Sequence, residues 1–410
     1  MLYDKASGDW SGRYSTHTVR EQEEWGITNL VALADPASEE ARALPVGEWF
    51  NTNSASGAAS VGAVHRSLAR HPLLVNEPDQ RAAFDYTVAP GLVKVIKGRA
   101  GTGKSYTLSA IREAFEQADT TGQPTARVLG LSHMHVVKQD MKADGFREVY
   151  TVHHMLNTLN TTNGACWRDV AMVAIDEAAM LSTGQLAGTL ATDDKPETTG
   201  LLEWARRTGT KLVLVGDDRQ LPSIERGGLF AEIATRLERL DDERRCNQFH
   251  AREITKVRRQ RDPVDRTMSE HLAQYDFDEA VRILDTPRTT PSGAVKPGCI
   301  DWCADKDQAR NALVDAWARD TASFQDSAPD PVESRFVFAF THHEVDELNE
   351  RLREIHLAAR RERHDHAITQ VPLTVCYKQP AWGEQPELHA DVPFAVGDRI
   401  QFTGTNEQAK

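Results

Sequence analysis

From residue 92 onward, short apolar runs alternate with amphipathic stretches. "LVKVI", "RVLGLS", "VAMVAID" and "KLVLVGD" are each bounded by segments that carry apolar residues at helical spacing. Buried strands separated by helices predict a parallel sheet covered on both faces. A second series is suggested by "EITKV" and by "RFVFAFT", the latter running into the amphipathic "HHEVDELNERLREIHLAARRER". The pattern predicts two α/β units, residues 76–245 and 246–410. Ahead of them, a polar helical stretch near residues 17–43 gives way to the Gly/Ser/Ala-rich "NTNSASGAASVGA". Residues 1–75 are therefore expected to be a helical segment and linker outside the first unit.

Length and composition add bounds. A chain of 410 residues exceeds what one hydrophobic core usually serves and suits two or three domains. No apolar run approaches the roughly 18 residues a spanning helix needs. The polar opening "MLYDKASGDWSG" has no signal-peptide core, so a cytoplasmic protein with no membrane partner is expected. Five scattered cysteines point to reduced thiols rather than a disulfide framework. Cys299 and Cys303 form the only close pair, and no second pair completes a zinc site. A net charge of -13 argues against a basic coat, while leaving room for a local basic groove that binds nucleic acid.

The chemistry begins at "GRAGTGKS", residues 98–105. Gly98, Gly103, Lys104 and Ser105 fit G-x-x-x-x-G-K-[ST] between a buried-looking strand and a helix, where backbone N–H groups and a helix N-terminus cradle phosphates. Lys104 would neutralise β- and γ-phosphates, and Ser105 would offer its hydroxyl to Mg²⁺. The bland alternative is an ordinary Gly-rich strand-to-helix turn. In "VAMVAIDEAAM" a strand ends in Asp176 and Glu177, two carboxylates at the sheet edge where α/β proteins bind ligands. The first would hold Mg²⁺ and the second would polarise the attacking water; alone, such a pair is as often a helix cap. A third strand ends in "VGDDRQLPSI", placing Gln220 where its amide would sense a γ-phosphate.

Taken in order, Gln80 in "NEPDQRAAF", "GRAGTGKS", "LGLSHMHVVKQDM", "TVHHML", "IDEAAM", "GDDRQLPSI" and "KVRRQ" resemble the motifs of superfamily 1 DNA helicases of the RecD-like branch. The likeness is especially to the helicase region of TraA-type conjugative relaxase-helicases, and it runs from about residue 76 to the end. It implies a P-loop NTPase of two RecA-like parallel-sheet domains, the second incomplete, with ATP and Mg²⁺ as cofactors. It also implies movement along single-stranded DNA, 5′ to 3′. The resemblance assigns the adenine edge to Gln80 and the phosphates to the loop of Gly98, Ala100, Gly101, Thr102, Gly103, Lys104 and Ser105. Mg²⁺ falls to Ser105 and Asp176, the catalytic water to Glu177, and the γ-phosphate to Gln220 and to Arg259, an arginine finger reaching across a domain cleft. The DNA contacts it implies are Ser132, His133, Lys138, Thr151 and His153 in the first unit, with Thr341 and His342 in the second.

Other readings stand beside this one. "HMH" at 133 and 135 would put two imidazoles on one face of a strand, as a metal site wants, but no third ligand is identifiable. "NTLNTTNGACWRD", residues 157–169, is a candidate for the pin hairpin that this branch places at a duplex fork; within it, packing suits Trp167 better than a fork role. No relaxase domain precedes the helicase motifs, so one is expected only as a partner, alongside other conjugation proteins. Residues 390–410 resemble the start of a small barrel inserted in the second domain. Nothing like the later motifs follows "FTGTN", from which a poor ATPase that does not unwind DNA alone is expected. The alternatives to a helicase are a P-loop ATPase switch that binds DNA or protein without unwinding, and a non-enzymatic DNA-binding remnant.

Overall fold

Each of the four apolar runs after residue 92 folds as a strand, and all four lie in one sheet. The computed structural model describes residues 17–35, 37–38, 58–116, 126–133, 135–189, 198–219, 229–260, 262–289, 295–322, 335–362, 370–377 and 388–395. The chain divides into two compact units, Met1–Ile283 and Leu284–Lys410.

The first unit opens with helices α1 (His17–Ala34), α2 (Val61–Arg70), α3 (Leu73–Asn76) and α4 (Pro78–Val88). Strands and helices then alternate: β1 (Val93–Gly98), α5 (Lys104–Glu116), β2 (Arg127–Ser132), α6 (His135–Ala143), β3 (Glu148–Thr151), α7 (Val152–Thr162) and β4 (Val170–Ile175). After a short helix α8 (Thr183–Ala187) and the paired β5 (Gly188–Thr189) and β6 (Thr198–Thr199) come α9 (Leu201–Thr208), β7 (Lys211–Gly216) and α10 (Leu229–Arg244). The unit closes with β8 (Arg252–Ile254), α11 (Pro263–Ala273) and most of α12 (Phe277–Asp285). The sheet order is β3-β2-β4-β7-β1-β8, and every neighbouring pair is parallel.

Because side chains alternate across a strand, this sheet divides its apolar residues between two cores. Val93, Val95, Val173, Ile175, Leu212 and Leu214 face α1, α7, α9 and α10. Ile96, Met172, Ala174, Val213 and Val215 face α4, α5 and α6. Covering both faces explains why β7 is buried along its whole length and why the strands read as continuous apolar runs.

Three expectations about this unit are corrected. First, α1 is not a segment outside the fold: Leu30 and Leu33 are fully buried in the first core, the Leu92 N–H donates to the Leu33 carbonyl at 2.9 Å, and Arg244 pairs with Asp35 at 2.5 Å. Second, "EITKV" does not begin a second series. Its β8 pairs with β1, so the boundary expected at residue 245 falls inside the first unit. Third, residues 157–169 are not a hairpin but the end of α7 and a 3-10 turn at Ala165–Trp167. Trp167 is completely buried there, its indole N–H directed at Met155 Sδ, 3.2 Å away.

The second unit contains the antiparallel pair β9 (Arg288–Thr289) and β10 (Val295–Lys296), helices α13 (Lys306–Ala322) and α14 (His342–Glu362), and the antiparallel ladder of β11 (Gln370–Tyr377) with β12 (Leu388–Ala395). Ion pairs Arg310–Glu347 and Lys306–Glu344 join α13 to α14. Among the described residues of this unit, strands pair only antiparallel. Of the expected strand "RFVFAFT", Arg335–Phe340 is not a strand among the described residues, and Phe336, Phe338 and Phe340 are exposed. Of the segment read as the start of a barrel, residues 390–395 lie in β12, and 396–410 lie outside the described residues.

Candidate functional site

β1 ends at Gly98 and α5 begins at Lys104, so residues 99–103 turn the chain at the carboxyl edge of the sheet. Two of them need glycine: Gly101 and Gly103 have φ of 79° and 89°, a region costly for side chains with a Cβ. A Cβ on Gly103 would also fall 2.3 Å from Gln80 Nε2. The Thr102 hydroxyl donates to the Arg99 carbonyl at 2.8 Å, closing the turn. The Lys104 ammonium donates to the Gly98 carbonyl at 2.7 Å, folding back over the loop. A close-turning glycine loop at the N-terminus of a 13-residue helix fits a polyphosphate, because successive N–H groups and the positive end of the helix favour anionic oxygen.

Asp176 and Glu177 follow β4 at the same edge. The Glu177 N–H donates to Asp176 Oδ1 at 2.9 Å, and Glu177 itself adopts a left-handed φ of 53°, a strained backbone of the kind held at functional sites. Burial pushes the Asp176 carboxyl up to about 6; Glu177 and Asp144 add to the rise, while its own bond from Glu177 and the charge of Lys104 oppose it. A buried carboxylate with two others close by is the arrangement a Mg²⁺ ligand would have.

A third carboxylate was not foreseen. Asp144, just past α6, has its carboxyl raised, first by burial, with the Ser105 side chain opposing the rise. Its carbonyl accepts from Ser109 Oγ at 3.0 Å. No motif spacing marks Asp144, since it reaches Ser105 only through the packing of α6 against its neighbours.

The loop is also gripped from outside. The N–H groups of Arg258 and Arg259 both donate to the Gly101 carbonyl, at 2.7 and 3.0 Å. Gln80, 2 % exposed, gives its Nε2 to the carbonyls of Gly103 at 3.0 Å and Thr102 at 3.3 Å. In this structure the residue assigned to the adenine edge thus holds the phosphate loop. Arg259 is exposed, and it stands in the same unit as the loop rather than across a domain cleft. β8, which pairs with β1, carries it there.

The residues assigned to DNA are dispersed in role. Ser132 is fully buried at the end of β2. His133 is half-buried and Lys138 half-buried on α6. Because α6 begins at His135, His133 and His135 do not share one strand face. Thr151 caps α7, its hydroxyl accepting from the His154 N–H at 3.3 Å. His153 is exposed, with Asn157 Nδ2 3.1 Å from its Nε2. In the second unit Thr341 caps α14 through Glu344, and His342 is the first residue of that helix. Gln220 lies outside the described residues. No helix among the described residues is long and apolar enough to cross a membrane.

Comparison with known proteins bears on the stretch that carries this site. The model of the AAA domain family matches residues 76–289, which include the phosphate loop, the Asp176–Glu177 pair and the segment after β8. The chain is 26% identical over 283 residues to a conjugal transfer protein TraA of Rhizobium radiobacter, covering 66% of this chain and 22% of that protein. It is 28% identical over 189 residues to a probable conjugal transfer protein TraA of Sinorhizobium fredii, covering 46% of this chain and 15% of that one. It is also 27% identical over 188 residues to the RecBCD enzyme subunit RecD of Mycobacterium tuberculosis, covering 40% and 30%. The chain therefore spans less than a third of the length of each of these relatives.

Proposed function

The chain belongs to the AAA domain family, and on that premise we propose that it is the motor region of an ATP-dependent DNA helicase or translocase that acts in conjugative DNA transfer. The observation that carries this reading is the meeting, at one sheet edge, of Lys104 and Ser105, the Asp176–Glu177 pair, and the Arg258–Arg259 segment. The likeness to conjugal transfer proteins TraA and to RecD subunits supports a helicase-type ATPase; movement along single-stranded DNA, 5′ to 3′, is part of the proposal.

In this reading the loop from Gly98 to Ser105 binds the phosphates of ATP. Mg²⁺, when bound, offsets phosphate charge, with Ser105 and Asp176 its protein ligands. Lys104 leaves the Gly98 carbonyl for the β- and γ-phosphates. Glu177 accepts the proton of the attacking water. Arg259, with an exposed side chain beside the loop, is the residue suited to stabilise charge on the γ-phosphate, a role worth about 10³ or more in rate. His133, Lys138, Thr151 and His153, with Thr341 and His342, are the DNA-contact candidates, and single-stranded DNA is the polymer partner.

The test is ATP hydrolysis by the purified chain with and without single-stranded DNA, beside unwinding of a forked duplex, each repeated with Lys104→Ala. DNA-stimulated turnover lost in that variant is the expected result. Turnover indifferent to both DNA and Lys104 would sink the proposal. Stimulated turnover without unwinding would favour the ATPase switch over the helicase.

A further inference from the structure

The phosphate loop is shaped by donors that approach it from behind. In a trans peptide the C=O of one residue and the N–H of the next point in opposite directions. A donor that fixes the Thr102 carbonyl therefore also fixes the direction of the Gly103 N–H, and one that fixes the Gly103 carbonyl fixes the Lys104 N–H. The Thr102 carbonyl has two such donors, Arg258 Nη1 at 2.6 Å and Gln80 Nε2 at 3.3 Å. Arg258 reaches it while its own N–H holds Gly101.

Both terminal nitrogens of Arg258 have further partners. Nη1 also donates to the Lys256 carbonyl at 2.8 Å, and Nη2 donates to Glu77 Oε2 at 2.6 Å and Asp79 Oδ1 at 2.8 Å. Asp79 Oδ2 in turn accepts the N–H groups of Thr255 and Lys256, each at 3.1 Å. The Lys256 ammonium pairs with Glu77 at 2.9 Å. Three segments distant in sequence, 77–80, 101–103 and 255–260, are thus joined through one half-buried arginine. Its planar fork serves two carboxylates and two carbonyls together, which a lysine head cannot do.

We infer that Arg258 is a positioning residue for nucleotide binding: it holds the phosphate loop in its cradle shape by tying the Thr102 carbonyl to the Glu77–Gln80 segment. The inference rests on the reading of this loop as an ATP site. Its two terminal nitrogens are committed to Glu77, Asp79, Thr102 and Lys256, so the γ-phosphate falls to Arg259, and the two adjacent arginines have separate tasks. Because the loop binds phosphate in the ground state and the transition state alike, loss of Arg258 acts on affinity, whereas loss of Arg259 acts on turnover.

The test measures binding of a fluorescent ATP analogue with Mg²⁺, steady-state KM and kcat, and the melting temperature, for the wild type, Arg258→Gln, Arg258→Lys, Arg259→Ala and Glu77→Gln. Arg258→Gln is expected to weaken binding by about 10-fold or more and to raise KM in parallel, with kcat within about 3-fold. Arg258→Lys keeps the charge and the fold, yet restores binding only in part. Glu77→Gln weakens binding in the same direction, and the double variant Glu77→Gln/Arg258→Gln, measured beside them, loses less than the two single effects added together. Arg258→Gln or Arg258→Lys with wild-type affinity, or with a fall in kcat at unchanged KM, overturns the inference. A lower melting temperature with unchanged affinity does the same, since the role is then only structural. Failure of the wild type to bind the analogue defeats the ATP-site reading itself and is a separate result.

Discussion

The backbone N–H of Glu177 holds Oδ1 of Asp176 at 2.9 Å, and it does so from a left-handed φ of 53°. One peptide therefore orients the first carboxylate while the turn it makes sets the direction of the second. Glu177→Gln retains both the size of the side chain and that backbone bond. It is expected to keep nucleotide affinity within about threefold and to slow hydrolysis by about 10² or more through loss of the base. Analogue titration and single-turnover hydrolysis decide it; normal turnover in the variant would remove Glu177 from catalysis.

The Asp144 carboxyl is close enough to the Ser105 side chain for that hydroxyl to oppose the rise that burial causes. Groups that orient a metal ligand commonly change metal affinity by 10- to 100-fold when lost. Asp144→Ala should raise the Mg²⁺ concentration needed for half-maximal ATP hydrolysis by about 10-fold, with a smaller effect at saturating Mg²⁺. An unchanged Mg²⁺ dependence would show that the contact has no part in ion binding.

Asp176 carries a pH signature. Its folded carboxyl is raised from 3.8 to about 6, first by burial and then by Glu177. A carboxyl raised by folding costs nothing while it is protonated in both states, and its ionisation costs stability. The cost develops as pH rises from about 4 to 6 and persists above. Asp176→Asn, free of that charge, should match the wild type in stability near pH 4 and exceed it at pH 7 by of order 1 to 3 kcal/mol, measured without nucleotide by urea unfolding. Equal stability at both pH values would contradict the raised carboxyl.

Asp241 ties the end of α10 to the approach of β8. Its Oδ1 accepts from Cys246 Sγ and the N–H groups of Gln248 and Phe249, and its Oδ2 from the N–H and Nδ1 of His250. Burial would raise this carboxyl, but the backbone donors outweigh it and hold it well below the usual range. The stability it contributes is therefore present above about pH 4 and fades as pH falls below that. Asp241→Ala should destabilise the first unit by about 3 kcal/mol at pH 7, and by less at pH 3. A loss that does not shrink on acidification would point to packing rather than to the ionised carboxylate.

Much of this protein is legible in the sequence where the chemistry is local. "GRAGTGKS" needs two glycines at positive φ and a lysine within one short loop, so composition and order specify the cradle before any folding. Asp176 and Glu177 are readable for the same reason: a fully apolar run must end where the strand meets water, and polar residues there lie at the sheet edge. The alternation that predicted buried strands holds because each strand must serve two cores. Tertiary structure alone decided which distant segments meet. β8 has three residues, too few to reveal a partner, and its pairing with β1 brings Arg258 and Arg259 to the phosphate loop from within one unit. α1 and the stretch 157–169 were misread because polar, turn-rich residues on an exposed face hide the few apolar ones, Leu30, Leu33 and Trp167, that anchor the segment. Nor do adjacent arginines differ in sequence. What separates Arg258 from Arg259 is that Glu77, Asp79 and the Thr102 carbonyl surround only the first, a difference made by packing and hydrogen-bond direction.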